Sequence, residues 1–258
     1  MMFGIDLNSD LGESFGPWRM GMDREVMEYV SSANVACGFH AGDPEVMIRT
    51  VQAAKEASVA VGAHPGHPDL QGFGRRTMGC TPDEVYAFTL YQIGAIQAVC
   101  TAQGVRLEHV KAHGALYNQA AKDLAMAKAI ARATRDAGGN LILLGLANSL
   151  FEQAAAEEGV LYAAEAFADR GYMDDGSLVP RNKPGAFIHD PDEAAMRMVR
   201  LVKEGVVRSA EGNDIKLKAH SVCLHGDNPS AVELARHIRK TLQDNGVLIS
   251  TIREVLEG

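Results

Sequence analysis

The sequence predicts an α/β protein folded as a single β/α barrel of seven strands, with residues 1–258 forming one domain. Three observations predict this fold. Short apolar runs alternate with helical patterns about seven times, which is the order of βαβ units around a parallel sheet. No Gly-x-Gly-x-x-Gly turn is present, which disfavours a doubly wound dinucleotide-binding sheet. A length of 258 residues is also common for an α/β barrel that forms one domain.

Each predicted strand is a short, mainly apolar run bounded by polar or glycine-containing turns. In chain order the runs cover residues 3–8, 35–39, 59–63, 107–112, 141–146, 160–167 and 220–224. The stretch 203–216 is left open between a short hairpin and a loop insertion. The polar stretch 173–184 is interpreted as a lid or excursion from the barrel.

The predicted helices carry clear start signals. A capping residue followed by proline precedes four of them, and proline suits the first helical position because its missing N–H would be unbonded there. These four starts are Asp43-Pro44, Thr81-Pro82, Asp190-Pro191 and Asn228-Pro229. The predicted helices cover residues 23–30, 44–57, 82–103, 123–136, 191–204 and 229–243, and a further helix ends at residue 158.

Composition excludes several classes of function. The net charge is −8 with no basic cluster, which argues against nucleic acid or an anionic membrane as a partner. No apolar run approaches the roughly 18 residues of a membrane span, and the first residues lack the layout of a signal peptide. The four cysteines form no C-x-x-C pair. We therefore expect a reduced, cytoplasmic protein.

Ionisable residues collect where the predicted strands end. Six of the seven runs are followed by such a cluster, and in a β/α barrel the carboxyl ends of the strands carry the reactive groups. One face of the barrel would therefore gather carboxylates, imidazoles and a lysine. The clusters are Asp10 and Glu13; His40 and Asp43; His64 and His67; Lys111, His113, Tyr117 and Asn118; Asp169 and Arg170; His225 and Asp227.

Some polar residues have a structural explanation. Asp43 and Asn228 precede a proline and are interpreted as helix caps. His109 and His220 lie inside apolar runs and are expected to be core histidines.

Other members of the clusters favour function. His40, His64 and His113 each follow a strand and stand beside glycine or proline, where a ligand can approach the backbone. The pair Arg75-Arg76 remains open between an anion clamp and a solvated loop pair.

The residue types indicate a reaction class. One aspartate with two or three histidines is a ligand set for a divalent metal that activates water. Glu13 or Asp227 could then act as general base, and Lys111 or Arg170 could clamp an oxyanion or phosphate. No Walker-type phosphate loop is present. The residues alone predict a hydrolase or ligase-like enzyme for a small polar substrate.

Six motifs resemble the lactam-utilisation protein family, whose members are described as the A component of the bacterial ATP-dependent 5-oxoprolinase. They run in order from residue 7 to residue 229, so the resemblance covers nearly the whole chain. The resemblance implies a barrel akin to the glycoside hydrolase/deacetylase superfamily and ATP-dependent opening of 5-oxo-L-proline to L-glutamate, performed with partner subunits B and C. The motifs are LNSDLGESFGPW, ANVACGFHAGDP, VGAHPGHPDLQGFGRR, HVKAHGALYN, EAFADRGY and CLHGDNP.

The resemblance also implies roles for the strand-end residues. Asp10, His40 and His64 would bind a divalent ion (Mg, Mn or Zn) or the activated lactam, and His113 would act as acid and base. Further roles follow for residues already named: the predicted catalytic set is Asp10, Glu13, Lys111, His113 and Asp227. The predicted substrate-binding set is Asn8, Arg75, Tyr117, Asn118, Asp169, Arg170 and His225.

Two alternative functions remain open at this point. One is a stand-alone metal-dependent amidase or deacetylase that needs no ATP. The other is a non-catalytic, lactam-binding scaffold subunit.

Overall fold

The computed structural model describes residues 3–180, 182–225 and 228–258. The strands are β1 (Phe3–Leu11), β2 (Ser32–Ala36), β3 (Ala60–His64), β4 (Leu107–Val110), β5 (Ile142–Leu146), β6 (Leu161–Phe167), β7 (Val206–Arg208), β8 (Asp214–Lys216), β9 (Ser221–Cys223) and β10 (Val247–Ile249). The helices are α1 (Asp23–Met27), α2 (Pro44–Glu56), α3 (Pro82–Ala102), α4 (Gly114–Ala120), α5 (Leu124–Asp136), α6 (Leu150–Glu158), α7 (Pro191–Glu204), α8 (Pro229–Asp244) and α9 (Ile252–Glu257).

Seven parallel strands close into a barrel, which confirms the predicted fold. The order is β1-β2-β3-β4-β5-β6-β9, and β9 pairs back with β1. Parallel strands present their carboxyl ends at the same end of the barrel, so the predicted strand-end clusters meet there. β10 pairs in parallel with the first three residues of β1. β7 and β8 form an antiparallel hairpin. The open stretch 203–216 is thus a hairpin.

The predicted helix starts are confirmed. The side chains of Asp43, Asp190 and Asn228 accept hydrogen bonds from backbone N–H groups of the first turn, with proline following each. Thr81 and Glu84 form a reciprocal capping box. Asp43 also accepts from the N–H of Gly16, which ties the loop after β1 to the start of α2.

One helix of the described residues, α3, is long and apolar enough to cross a membrane. It is nevertheless part of the layer around the barrel, because it contacts α5, α2 and the strands β3 and β4. Its residues Val85, Ile93 and Ile96 are fully buried in the core. Packing against the barrel therefore accounts for the apolar residues on the buried face of this helix.

The lumen of the barrel is polar. Side chains alternate between the two faces of a strand, so every second residue of β1 points inward. Buried polar side chains from strands that are not neighbours in the barrel contact one another, which places them inside it. We call the following set the polar lumen: Asp6, Asn8, Asp10, Ser32, Asn34, His109, Lys111, Glu165, Ser221 and Cys223.

Candidate active site

A cavity of about 460 Å³ opens at the carboxyl ends of the strands. This volume lies within the usual range for small-molecule sites. Residues not predicted from the sequence also line it, including Ser9, Met20, Asp23, Phe73, Phe167 and Leu178. Of the predicted site residues, those that line the cavity are Asp10, Glu13, His64, Arg75, Lys111, His113, Tyr117, Asn118, Arg170 and His225.

One side of the cavity carries a compact group of metal-binding side chains, Glu13, His40, His64 and His113, which we call the His/Glu cluster. Their ligand atoms all lie within 4.8 Å of one another. His64 Nε2 is 3.0 Å from His113 Nδ1. Glu13 Oε1 is 3.4 Å from His40 Nε2 and 3.6 Å from His113 Nδ1. Each histidine comes from a different strand end, as predicted.

Backbone carbonyls fix which ring nitrogens are free to accept. His64 Nδ1 lies 2.8 Å from the carbonyl of Lys111, and His113 Nε2 lies 2.8 Å from the carbonyl of Phe73. A carbonyl only accepts, so each of these nitrogens carries the hydrogen. The opposite nitrogens, His64 Nε2 and His113 Nδ1, therefore present lone pairs toward each other. This is how outer hydrogen bonds orient imidazole ligands around a metal.

The surroundings keep two of the rings neutral. Burial, together with the neighbouring histidines, lowers the pKa of His113 to about 2. Burial, together with the neighbouring His64, holds the pKa of His40 well below its ordinary value. Burial and the charge of Asp10 raise the pKa of Glu13. At neutral pH the cluster thus offers imidazole lone pairs beside a carboxyl group that can exchange a proton.

The cluster fits a divalent cation. Ligands 2.0–2.1 Å from a zinc ion at angles of 90–109° lie about 2.9–3.4 Å apart, and the separations above fall close to this range. Both ring nitrogens of His40 and Oε1 of Glu13 are buried without a hydrogen-bond partner among the described residues. Buried polar atoms are normally bonded, so these atoms point to a missing ligand. Three imidazoles and a carboxylate suit zinc and similar ions. The rings of His40 and His113 stack in parallel with their centroids 3.7 Å apart, so one of them must turn before both can bind the same ion.

Asp10 stands at the edge of the His/Glu cluster. Its Oδ1 accepts hydrogen bonds from Lys111 Nζ at 2.9 Å and Asn34 Nδ2 at 2.8 Å. Its Oδ2 faces His64 Nε2 at 3.4 Å. Burial acts to raise the pKa of Asp10, but His64 and Lys111 outweigh it and hold the pKa well below its usual range. Asp10 is therefore an anion with one oxygen directed at the cluster.

Lys111 is already paired inside the protein. Its ammonium lies 2.8 Å from Glu165 Oε1, 3.1 Å from Asn8 Oδ1 and 3.3 Å from Cys223 Sγ, besides its contact with Asp10. Burial acts to lower its pKa, but Asp10, Cys223 and Glu165 raise it well above the ordinary value. The lysine is thus a fixed cation, and its charge is balanced before any substrate phosphate arrives.

The arginine pair divides into two roles. Arg75 is exposed at the cavity, with its guanidinium 5.0 Å above the Phe73 ring. Arg76 instead binds Asp69, with Nε 2.9 Å from Oδ1, and holds the loop after β3. Of the two interpretations left open, an anion-binding position suits Arg75 and a loop contact accounts for Arg76.

Arg170 fastens the excursion that follows β6. Its Nε donates to the carbonyl of Ala186 and its Nη2 to that of Val179. The neighbouring Leu178 lines the cavity. The stretch predicted as a lid or excursion therefore forms part of the cavity wall, and Arg170 holds it there.

Other predicted residues lie beside or below the cavity. His225 Nδ1 is 2.7 Å from Asp169 Oδ2. Asn8 is fully buried in the polar lumen, where its Nδ2 donates to Glu165 and Ser221. Asp227 lies outside the described residues.

The two histidines expected in the core are positioned differently. His109 is fully buried, as expected, and its Nε2 lies 2.6 Å from Asn34 Oδ1. His220 is only partly buried, and its Nδ1 accepts a hydrogen bond from the N–H of Ala164.

Besides the other unpredicted lining residues, sequence reasoning missed three charged or amide-bearing residues of the site. Glu165 contacts Lys111 from below, Asn34 contacts Asp10, and Asp23 lines the cavity. Burial raises the pKa of Asp23 to about 6, although the N–H of Gly12 donates to it. Glu165 gives a signal in the sequence, because it is a charged residue inside an otherwise apolar strand.

Fold and site together define the class of protein: a seven-stranded β/α barrel with a carboxylate–imidazole site at the carboxyl ends of its strands. The chain belongs to the LamB/YcsF family, whose model matches residues 5–257. This confirms the resemblance seen in the motifs.

Known relatives agree with this family. A protein from Pyrococcus abyssi, named as the A component of 5-oxoprolinase, is 53% identical over 252 residues, covering 98% of this chain and 99% of the relative. The crystal structure of a lactam utilization protein from Thermus thermophilus superposes with a TM-score of 0.92 at 47% identity, covering 96% of this chain and 99% of that one. A T48 deacetylase shares the fold alone, with a TM-score of 0.51 at 13% identity, over 100% of this chain and 92% of the deacetylase.

Proposed function

We propose that this protein is the A component of an ATP-dependent 5-oxoprolinase, which cleaves 5-oxo-L-proline to L-glutamate. The geometric observation that carries the proposal is the convergence of Asp10, Glu13, His64 and His113 on one cavity, with His40 buried behind them. The substrate class is supported by the 53% identity to a relative of that name over nearly the full length of both chains. A cyclic amide is a small polar substrate, as the cavity requires.

The proposal includes partners and a location. Because the relatives are named as one component of a larger enzyme, we propose that the chain acts with subunits B and C in the cytoplasm. ATP would be consumed because an unstrained amide is a poor electrophile. Transfer of the γ-phosphoryl group to the lactam oxygen would yield ADP and an activated ring carbon. Water would add to that carbon and the ring nitrogen would depart as a protonated amine, which leaves an acyl phosphate. A second water would hydrolyse this acyl phosphate to the side-chain carboxylate of glutamate and free phosphate.

Arg75 would recognise the substrate's carboxylate. Among the cationic side chains that line the cavity, Lys111 is paired with two carboxylates and Arg170 donates to backbone carbonyls. The guanidinium of Arg75 lies at the cavity and can donate two parallel hydrogen bonds to a carboxylate. The lactam ring would then extend inward toward the His/Glu cluster.

Glu13 is the best-placed group to exchange a proton with the attacking water. Its raised pKa brings it nearer to neutral pH, where a general base is most effective. His113 lies 3.6 Å from it and presents the lone pair of Nδ1. The carbonyl of Phe73 holds the other ring nitrogen, Nε2, so Nδ1 of His113 is directed toward the His/Glu cluster.

The imidazoles of the His/Glu cluster, with Asp10 at its edge, would hold a divalent metal ion, and Glu13 would remain free to exchange the proton. When bound, such an ion supplies Lewis-acid polarisation and lowers the pKa of water. The chain's own contribution is to lower the pKa of His40 and His113 and to orient the rings of His64 and His113 through the carbonyls of Lys111 and Phe73.

The test is turnover of 5-oxoproline by the chain reconstituted with subunits B and C. Glutamate and ADP should form in equal amounts, and neither should form from 5-oxoproline when this chain is omitted. His64→Ala should lower turnover at least about 100-fold, the upper end of losses seen when metal-site contacts are removed. The exposed His189→Ala is the matched control and should leave turnover unchanged.

Three results would reject the proposal. Glutamate formation without ADP would indicate an ATP-independent amidase. A His64→Ala variant that assembles and turns over normally would indicate a scaffold role. Absence of glutamate under all conditions would reject the substrate.

A further inference from the structure

Glu165 is a buried carboxylate that no catalytic step described above uses. It lies on β6 and is fully buried in the polar lumen. Three donors converge on it: Lys111 Nζ at 2.8 Å and Asn8 Nδ2 at 3.0 Å on Oε1, and the Tyr117 hydroxyl at 2.6 Å on Oε2. A buried carboxylate with so many partners is a fixed part of the structure, and its position one layer below the cavity suggests a role in placing Lys111.

The three N–H bonds of the Lys111 ammonium each have an oxygen acceptor within the protein. Oxygens of Glu165, Asn8 and Asp10 stand 2.8–3.1 Å from its nitrogen. An ammonium has only three donors, so these oxygens define its position. Because Glu165 and Asp10 are both carboxylates on different strands, the lysine forms a bridge from β6 to β1.

The bridge decides which oxygen of Asp10 reaches the His/Glu cluster. Lys111 and Asn34 both donate to Oδ1. This leaves Oδ2 directed at His64 Nε2, 3.4 Å away. Outer contacts of this kind orient carboxylate ligands around metal ions, and their loss typically costs 10–100-fold in metal affinity or activity.

We propose that Glu165 is a positioning residue that acts through Lys111 to aim Asp10 at the cation bound by the His/Glu cluster. The inference rests on the metal site in the proposed function. Glu165 is itself neither a member of the cluster nor one of the residues that line the cavity. Tyr117 is held by the same carboxylate, so its hydroxyl hydrogen is committed to Glu165.

The experiment is a double-mutant cycle read by zinc binding to the chain alone. Zn²⁺ is titrated calorimetrically into the wild type, Glu165→Gln, Lys111→Met and the double variant. Glutamine keeps the shape of glutamate, but its amide N–H₂ cannot accept from Lys111 or Tyr117. The exposed Glu233→Gln is the matched control for removing one negative charge.

We expect Glu165→Gln to weaken zinc binding at least tenfold and Glu233→Gln to leave it within twofold of the wild type. In the Lys111→Met background, Glu165→Gln should cause no further weakening, because its effect passes through the lysine. The double variant also buries no unpaired charge at this pair, so it should fold more readily than Lys111→Met alone. Circular dichroism checks that each variant is folded.

Other outcomes overturn the inference. Unchanged zinc affinity in Glu165→Gln, effects that multiply in the double variant, or a wild type that binds no zinc would each reject it. If Glu165→Gln does not fold, Tyr117→Phe removes one donor from Glu165, and unchanged zinc affinity there would reject it too. Zinc binding with the expected cycle but no turnover of 5-oxoproline would reject the proposed substrate and leave this inference standing.

Discussion

Replacing Asp6 by asparagine should reverse a pH-dependent loss of stability. Asp6 is fully buried at the base of the polar lumen. The hydroxyls of Ser31, Ser32 and Ser221 donate to it. Burial nevertheless raises its pKa from 3.8 to about 6, with Glu165 adding to the rise. Asparagine resembles the protonated acid, because it carries one accepting oxygen and one donating group.

The magnitude follows from the pKa difference between the folded and unfolded chains. A rise from 3.8 to about 6 corresponds to about 3 kcal/mol at 1.36 kcal/mol per pH unit. The folded protein holds the proton of Asp6 more tightly than the unfolded chain does. Its contribution to stability is therefore complete below pH 3.8, falls as pH rises toward 6, and is absent above that.

Urea unfolding at several pH values between 4 and 8 measures the effect. The free energy of unfolding of Asp6→Asn minus that of the wild type should increase by about 2 kcal/mol between pH 4 and pH 7, because part of the total is already lost at pH 4. Asp43→Asn is the matched control, since backbone N–H groups of Val46 and Gly16 lower the pKa of Asp43. There the wild type should lose relative stability only as pH falls below 3.8. A constant difference between Asp6→Asn and the wild type from pH 4 to pH 8 would refute the reasoning.

Two further predictions concern glycine and arginine positions. Gly62→Ala should lower the melting temperature, because the added Cβ would clash with Nε2 of buried His109. Gly94→Ala lies in open space on α3 and should stabilise the protein by about 0.5–1 kcal/mol. Equal melting temperatures for the two variants would contradict this. Arg75→Ala should raise the KM for 5-oxoproline with little change in melting temperature, whereas Arg76→Ala should lower the melting temperature because it releases a buried carboxylate. A KM effect confined to Arg76→Ala would reverse the assignment.

The fold could be predicted from local signals in the sequence. Proline behind a capping residue marks the starts of four helices, and apolar runs mark the strands of the barrel. The sequence does not predict α4, because its cap, His113, makes no side-chain hydrogen bond to the first turn. Nor does it predict β10, which is three residues long and pairs with the outer edge of β1. Both elements depend on tertiary contacts more than on their own sequence.

The strand-end residues of the site could also be predicted, but their partners could not. His40, His64 and His113 follow their strands directly, and a parallel barrel brings such positions together. Glu165 gives a weaker signal, a charged residue inside an apolar strand, which does not say what it faces. The curvature of the sheet around the barrel brings it within 2.8 Å of Lys111, which lies two strands earlier in the chain.

The polar lumen has a consequence for the register in which β1 pairs with its neighbours. A slip of β1 by one residue would exchange its two faces. Asp6, Asn8 and Asp10 would then face the surrounding helices, and Leu7 would enter the lumen beside Lys111. A buried charge that loses its partners costs about 3–5 kcal/mol. Misaligned pairings of β1 are therefore disfavoured mainly by unpaired buried charges and less by poor packing. The polar side chains of β1 that lead up to the candidate active site thus also fix the register of this strand.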